Sequence, residues 1–218
     1  MPKPKEEAVK IKKTVKKEEV KLPEIKLFGK WSCDVVVNDL GLKNYINLSP
    51  KLLPRSAGAY RKRFHKSKMH IVERLALHML VPGHVGRKHR LTSGPLSGGF
   101  SKTIGAVEKA FEIMEKKENK NPVELFIRAL ENAALREEII SYQMGSIVAR
   151  DAVVTAPQRR VDRALRSFAQ GTYRKSFSSK KSVEQALAEE LLAASKGSNE
   201  SFAIKEKERV ESEASGSR

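Results

Sequence analysis

Five histidines, His65, His70, His78, His84 and His89, fall in one stretch of the chain and raise the question of a metal centre. A zinc site needs three or four ligands at set spacings, as in HExxH or paired CxxC and HxxxH motifs. These histidines form no such set, and no nearby cysteine or carboxylate completes one. They read as solvated or RNA-facing side chains, and the single cysteine, Cys33 beside Asp34, as a small packed side chain. Gly94–Thr103 (GPLSGGFSKT) is faintly similar to a phosphate-cradling loop, but Phe100 and Ser101 stand where a Walker motif needs Lys directly after its second Gly. It reads better as a basic surface loop. The Glu137-Glu138 pair is more simply a partner for Arg136 or a neighbouring Arg than a catalytic couple. No catalytic, metal or cofactor assignment follows, and the chain does not read as an enzyme.

The residue types do support binding of a polyanion. The 218 residues include 43 Lys and Arg against 26 Asp and Glu, a net charge of +17. Charge that far from neutral repels itself unless a partner offsets it. From Leu40 to Val107 the only acidic residue is Glu73, among Lys43, Lys51, Arg55, Arg61, Lys62, Arg63, Lys66, Lys68, Arg74, Arg87, Lys88, Arg90 and Lys102. A second acid-free stretch, Arg163 to Val183, carries Arg163, Arg166, Arg174, Lys175, Lys180 and Lys181, and Arg159 and Arg160 precede it. Solvated helix faces usually mix signs, so these stretches point to phosphates. Nucleic acid is the first candidate. No apolar run approaches the roughly 18 residues a spanning helix needs, and a small-molecule substrate finds no site. The first ten residues lack a secretory signal, and one cysteine excludes an internal disulfide, so a reducing, intracellular setting is expected.

Tyr60-Arg61-Lys62-Arg63-Phe64-His65-Lys66 adds aromatic faces to the charge. Bases or sugars can stack on such rings while guanidinium forks hold phosphates. The alternative is that the rings pack into the core, which we favour for Phe64 and not for Tyr60.

The elements that must carry these residues are mostly helical. Apolar spacing predicts helices over about Met69–Val81 and Lys102–Lys117. Asn121-Pro122 opens another, with Asn as cap and Pro at the first position. Further helices follow Pro157, start at Ser182 with Gln185 at capping-box spacing and stop near Gly197, and run weakly over about Ser201–Val210. The β-branched run Glu138–Thr155, with Met144-Gly145-Ser146 at its centre, predicts an extended hairpin. Residues 1–24, alternating Lys and Glu, read as a disordered tail. Residues 25–218 read as one domain, entered through Leu27, Phe28 and Trp31, with Glu211–Arg218 fraying at the far end. The expected class is mainly α: a helical bundle with a β-hairpin inserted between two helices.

The segments KLFGKW (Lys26–Trp31), LPRSAGAYRKRFHKSKMHIVERL (Leu53–Leu75), NPVELFIRALENAA (Asn121–Ala134), REEI (Arg136–Ile139), APQRRVDRALR (Ala156–Arg166) and ALAEELLAASKGSNESFAIKEKE (Ala186–Glu208) together resemble, in collinear order, the universal small-subunit ribosomal protein seven family. Eukaryotic nomenclature calls its member protein five. The KLFGKW entry looks like the archaeal and eukaryotic branch. The resemblance implies a cytoplasmic structural constituent of the small ribosomal subunit. Such a protein binds the 3′ major domain of the rRNA, nucleates head assembly and reaches exit-site tRNA and mRNA with its hairpin. It also implies neighbouring small-subunit proteins of the head and platform.

On this reading the rRNA-binding residues are Arg55, Tyr60, Arg61, Lys62, Arg63, His65, Lys66, Lys68, Arg74, Arg87, Lys88, Arg90, Lys102, Arg159, Arg160, Arg163, Arg166, Arg174 and Lys175. Those near tRNA or mRNA are Tyr142, Met144, Gly145, Ser146 and Arg150. Three departures from the family pattern bear on the hairpin. Ser141 stands where relatives commonly have Arg, Ser146 where a second Gly is usual, and Asp151 where a strand residue is apolar. The loop Pro82–Ser101 is also longer and richer in Gly than in many relatives. Two other readings compete: an architectural DNA protein that clamps a minor groove, and a metal-dependent nucleic-acid enzyme resting on the histidines alone.

Overall fold

A computed structural model describes residues 25–56, 63–82, 96 and 98–217. The expected tail over residues 1–24 lies outside that range, as do Tyr60, Arg61, Lys62, Arg87, Lys88 and Arg90. The order of elements is α1 (Leu40–Lys43), α2 (Ile71–Leu80), α3 (Phe100–Glu118), α4 (Pro122–Ala133), β1 (Glu137–Met144), β2 (Ile147–Val154), α5 (Pro157–Ser176), α6 (Val183–Ser195) and α7 (Phe202–Ser215). A 3₁₀ turn, His65–Lys68, precedes α2. The class is therefore mainly α with one antiparallel hairpin set between α4 and α5, as the sequence pattern leads one to expect.

Local sequence explains the boundaries. Asn121 Oδ1 accepts from the Val123 N–H at 3.0 Å, with Pro122 starting α4 where no amide partner is needed. Ser182 and Gln185 form a reciprocal capping box at the start of α6. Asn119, in the left-handed region, ends α3. The fraying expected from Glu211 onward does not occur: α7 continues to Ser215, because Val210 and Ala214 are buried. Short α1 escapes periodicity altogether; it forms because the Asp39 side chain accepts from the Gly41 N–H at 2.8 Å.

α6 is the central helix, packing against α3, α4 and α5, while α2 lies against α3 and α5. Phe111, Phe126, Phe168, Leu130 and Met114 are fully enclosed there. The entry segment docks as its apolar residues suggest. Leu27 and Trp31 are buried, Trp31 meets Phe111 edge-on with ring centroids 5.8 Å apart, and its indole N–H donates to Glu115 at 3.0 Å. Cys33 is buried too, as a packed thiol.

The hairpin register runs from Glu137↔Val154 to Met144↔Ile147, so only Gly145 and Ser146 make the turn. Gly145 has φ +62° and Ser146 does not take a positive φ, which is the arrangement of a type II′ turn with Gly first. The second Gly usual in relatives is therefore not needed here. Asp151 also keeps its strand in register: paired with Ile140, it accepts a hydrogen bond from the Tyr142 hydroxyl at 2.6 Å. α7 packs against both strands, and the hairpin is most buried at its root, around Glu138, while residues 140–148 are exposed. The Arg136 N–H there donates to Glu211 at 2.9 Å.

Candidate nucleic-acid interface

The basic segment before α2 is fastened at both described ends. On one side, the Ser56 N–H donates to Glu73 Oε1 at 2.8 Å and its hydroxyl donates to Glu73 Oε2. Glu73 is buried on α2, so the only carboxylate between Leu40 and Val107 is turned inward and spent on an anchor. On the other side, the 3₁₀ turn is closed by the Ser67 N–H on the Phe64 carbonyl at 3.1 Å. Asn47 donates to the Lys68 carbonyl and accepts from the Ile71 N–H at 3.0 Å. Lys66 reaches Asp162 on α5 at 2.9 Å, and the following Met69 and His70 are buried. Arg55, Arg63, Lys68 and Lys102 are exposed, and His65 is half-buried.

The second basic group is a stripe along α5. At about 100° per residue, Arg159, Arg163, Arg166 and Arg174 fall within an arc of about 80°. The opposite side of the helix buries Val161, Leu165, Phe168 and Thr172. Arg159 is exposed and paired with Glu138 at 2.6 Å, which fulfils the expectation that this acid serves a neighbouring arginine. Arg163 and Arg166 are half-buried. The Arg174 guanidinium lies over the Phe202 ring, 4.4 Å from its centroid.

Like Arg159, four more of the basic residues are occupied within the fold. Arg74 is buried, donating to the Tyr45 carbonyl at 2.8 Å and to Asp162 at 2.9 Å; it is a strut between α2 and α5 rather than a surface cation. Arg160 donates to the Leu135 carbonyl at 2.7 Å and to Asp39 at 2.9 Å. Lys175 lies 2.7 Å from the fully buried Glu190, whose other oxygen accepts from the Ser201 hydroxyl at 2.7 Å and the Ala203 N–H at 3.1 Å. Lys66 is exposed but paired with Asp162. Composition counts these side chains as cations; it cannot say which point inward.

Two expectations are corrected. Phe64, read as a core ring, is 73% exposed. Its backbone sits in the left-handed region, φ +57° and ψ +9°, which throws the ring outward. His70, read with the other histidines as solvated or RNA-facing, is fully buried. Its Nδ1 accepts from the Val72 N–H at 3.3 Å and caps α2, and burial, aided by Lys51, lowers its pKa to about 4. Asp162 is the residue sequence reasoning passed over. Burial alone would raise its pKa, but His78 3.7 Å away and the hydrogen-bonded Lys66 and Arg74 outweigh that and hold it far below the usual carboxylate range. An acid at one helix position inside a basic run was the available signal.

The hairpin residues Tyr142, Met144, Gly145, Ser146 and Arg150 are all exposed. Pairing places Ile140, Tyr142 and Met144 with Asp151, Ala149 and Ile147 on one face, and Ser141 and Gln143 with Arg150 and Val148 on the other.

The described residues thus form a helical body that presents a cationic segment, an arginine stripe and an exposed hairpin. A sequence profile of the family described as Ribosomal protein S7p/S5e matches residues 42–218, and the chain belongs to that family. It is 43% identical over 197 residues to the small ribosomal subunit protein uS7 of Nanoarchaeum equitans, a match spanning 89% of this chain and 100% of that protein. The proteins of the same name from Methanothrix thermoacetophila and Methanococcus maripaludis are 38% and 41% identical, over 89% of this chain and 100% of each relative.

Proposed function

We propose that this protein is a structural constituent of the cytoplasmic small ribosomal subunit. It binds the 3′ major domain of the rRNA, nucleates head assembly, and contacts exit-site tRNA and mRNA through the hairpin, beside neighbouring proteins of the head and platform. Family membership supports the ribosomal setting. The observation that carries the RNA reading is the burial of Glu73, which leaves no exposed carboxylate among the described residues from Leu40 to Val107. Phosphates meet no opposing charge from that segment. Exposed Arg55, Arg63 and Lys68 and the α5 stripe position the RNA through its backbone. RNA shape and unpaired bases supply the selectivity.

Three measurements test this. The full chain should bind a transcript of the 3′ major domain in preference to duplex DNA of equal length, with affinity falling steeply as salt rises. Equal affinity for the duplex would favour an architectural DNA protein instead. In lysate the protein should sediment with the small subunit at physiological salt, and its absence there would end the ribosomal reading. Shortening the hairpin at Met144–Ser146 should spare the transcript and disturb exit-site tRNA; collapse of transcript binding would refute that division of labour.

A further inference from the structure

We propose that Phe64 is a stacking platform for an unpaired nucleobase, a role that deepens the RNA-binding reading above and rests on it. A large aromatic side chain that is 73% exposed contributes nothing to this core. The left-handed conformation at Phe64, φ +57° and ψ +9°, is one that residues with a Cβ rarely adopt, and it carries the ring away from the apolar interior behind Met69 and Ile71. Backbone in such a region persists only where its surroundings dictate it, and such positions cluster where ligands are held.

The surroundings here do dictate it. Phe64 caps the 3₁₀ turn with its carbonyl bonded to the Ser67 N–H at 3.1 Å, and the Met69 N–H returns to the Lys66 carbonyl at 3.2 Å. The turn is pinned to α5 by Lys66–Asp162, 2.9 Å, and to the preceding segment by Asn47. The ring is thus presented from a fixed mount, so little ordering is left for the moment of binding. Arg63 before it and Lys68 after it are exposed cations. A π-face flanked by phosphate-binding charge suits one base of a single-stranded or bulged RNA, with its sugar–phosphate backbone running past the ring. A protein partner would more naturally meet a wider apolar patch than one ring set among cations.

Stacking adds contact without charge, which makes it separable from the electrostatics. The test compares the full chain with Phe64→Ala, Phe64→Gly and Phe64→Trp against three probes. These are the 3′ major domain transcript, a mixed-sequence single-stranded oligoribonucleotide, and an abasic ribose-phosphate oligomer of the same length. Phe64→Ala and Phe64→Gly should lose on the order of 10- to 100-fold on both base-bearing probes and nothing on the abasic one. The salt slope should not change, and Phe64→Gly should melt no lower than wild type, because glycine accepts this backbone. Phe64→Trp should restore affinity, with tryptophan fluorescence quenched on binding. Equal losses on the abasic oligomer, or wild-type affinity in Phe64→Ala, would overturn the proposal. Wild-type binding to the oligoribonucleotide through Phe64, with the transcript ignored, would reject the ribosomal reading and leave this one standing.

Discussion

Asp162 on α5 and Arg74 on α2, 88 residues apart in the chain, meet at 2.9 Å, and the same carboxylate group holds Lys66 at 2.9 Å. One acid thus ties a buried strut and the mount of the basic segment together. Removing a negative charge from a cationic protein ought, on charge alone, to favour RNA. Here Asp162→Asn should do the reverse for the specific transcript, because Arg74 loses its partner in the interior. The expected stability loss is about 3 kcal/mol, at the low end for a broken buried pair since Asp162 is partly open to solvent. Urea unfolding at neutral pH measures it. A variant as stable as wild type would show the pair to be dispensable.

The same site sets an acid limit. A carboxyl held below its unfolded pKa contributes stability above that unfolded value and loses it as pH falls toward the folded one. The difference between wild type and Asp162→Asn should therefore be full at pH 6 and shrink steadily below about pH 4. A difference that stayed constant down to pH 2 would contradict the depressed pKa.

His70 works in a higher window. Its folded pKa, about 4, lies below the unfolded value near 6.5, so the neutral ring favours the fold above pH 6.5 and that contribution is lost as pH falls toward 4. The linkage amounts to about 3 kcal/mol across the window. His70→Asn keeps an acceptor for the Val72 N–H and removes the titration. Its stability should be flatter between pH 6.5 and 4, read by denaturant titration at each pH. A slope equal to wild type would place the titrating group elsewhere.

Gly171 offers a test with opposing signs. Alanine is the better helix former by about 1 kcal/mol, so propensity says Gly171→Ala should stabilise α5. A Cβ there would come within 2.8 Å of the Glu190 carboxylate, which Lys175, Ser201 and Ala203 hold in a buried site. Overpacking should win, with a net loss of about 1–3 kcal/mol and a lower Tm. A rise in Tm would mean that Glu190 moves freely.

Binding and folding should separate along the arginines. Arg163→Gln, on the outward stripe, should flatten the salt dependence of transcript binding by about one unit of slope and leave Tm near wild type. Arg74→Gln should lower Tm and leave the salt slope of the remaining folded protein unchanged. If Arg74→Gln flattened the slope and Arg163→Gln did not, the two roles would be reversed.

Much of this architecture was legible from local sequence. Caps at Asn121 and Ser182, the apolar spacing of α3 and α4 and the β-branched run around Gly145 are signals carried within a few residues, and the elements appear within a residue or two of those positions. The acid-free stretches likewise mark the cationic face. What sequence could not show depends on partners distant in the chain. Arg74 and Arg63 look alike in composition; Asp162 and the Tyr45 carbonyl draw one inside while the other stays exposed. Phe64 has the composition of a core residue, and only its backbone conformation, enforced by Ser67, Lys66 and Asn47, turns it outward. His70 is one of five histidines until its burial and its hydrogen bond to the Val72 N–H are known.

The grip of α7 on the hairpin root has a consequence for biosynthesis. Arg136, at the start of the hairpin, is steadied by Glu211, 75 residues later. The two strands can zip as soon as they leave the ribosome that makes them, since their turn is local. Arg159 on α5 ties the root first, through Glu138, and the hold is completed once α7 has emerged, roughly 3–11 s later at ordinary elongation rates. For that interval a nascent copy carries a finished pointer braced on one side only, and the last helix supplies the second brace.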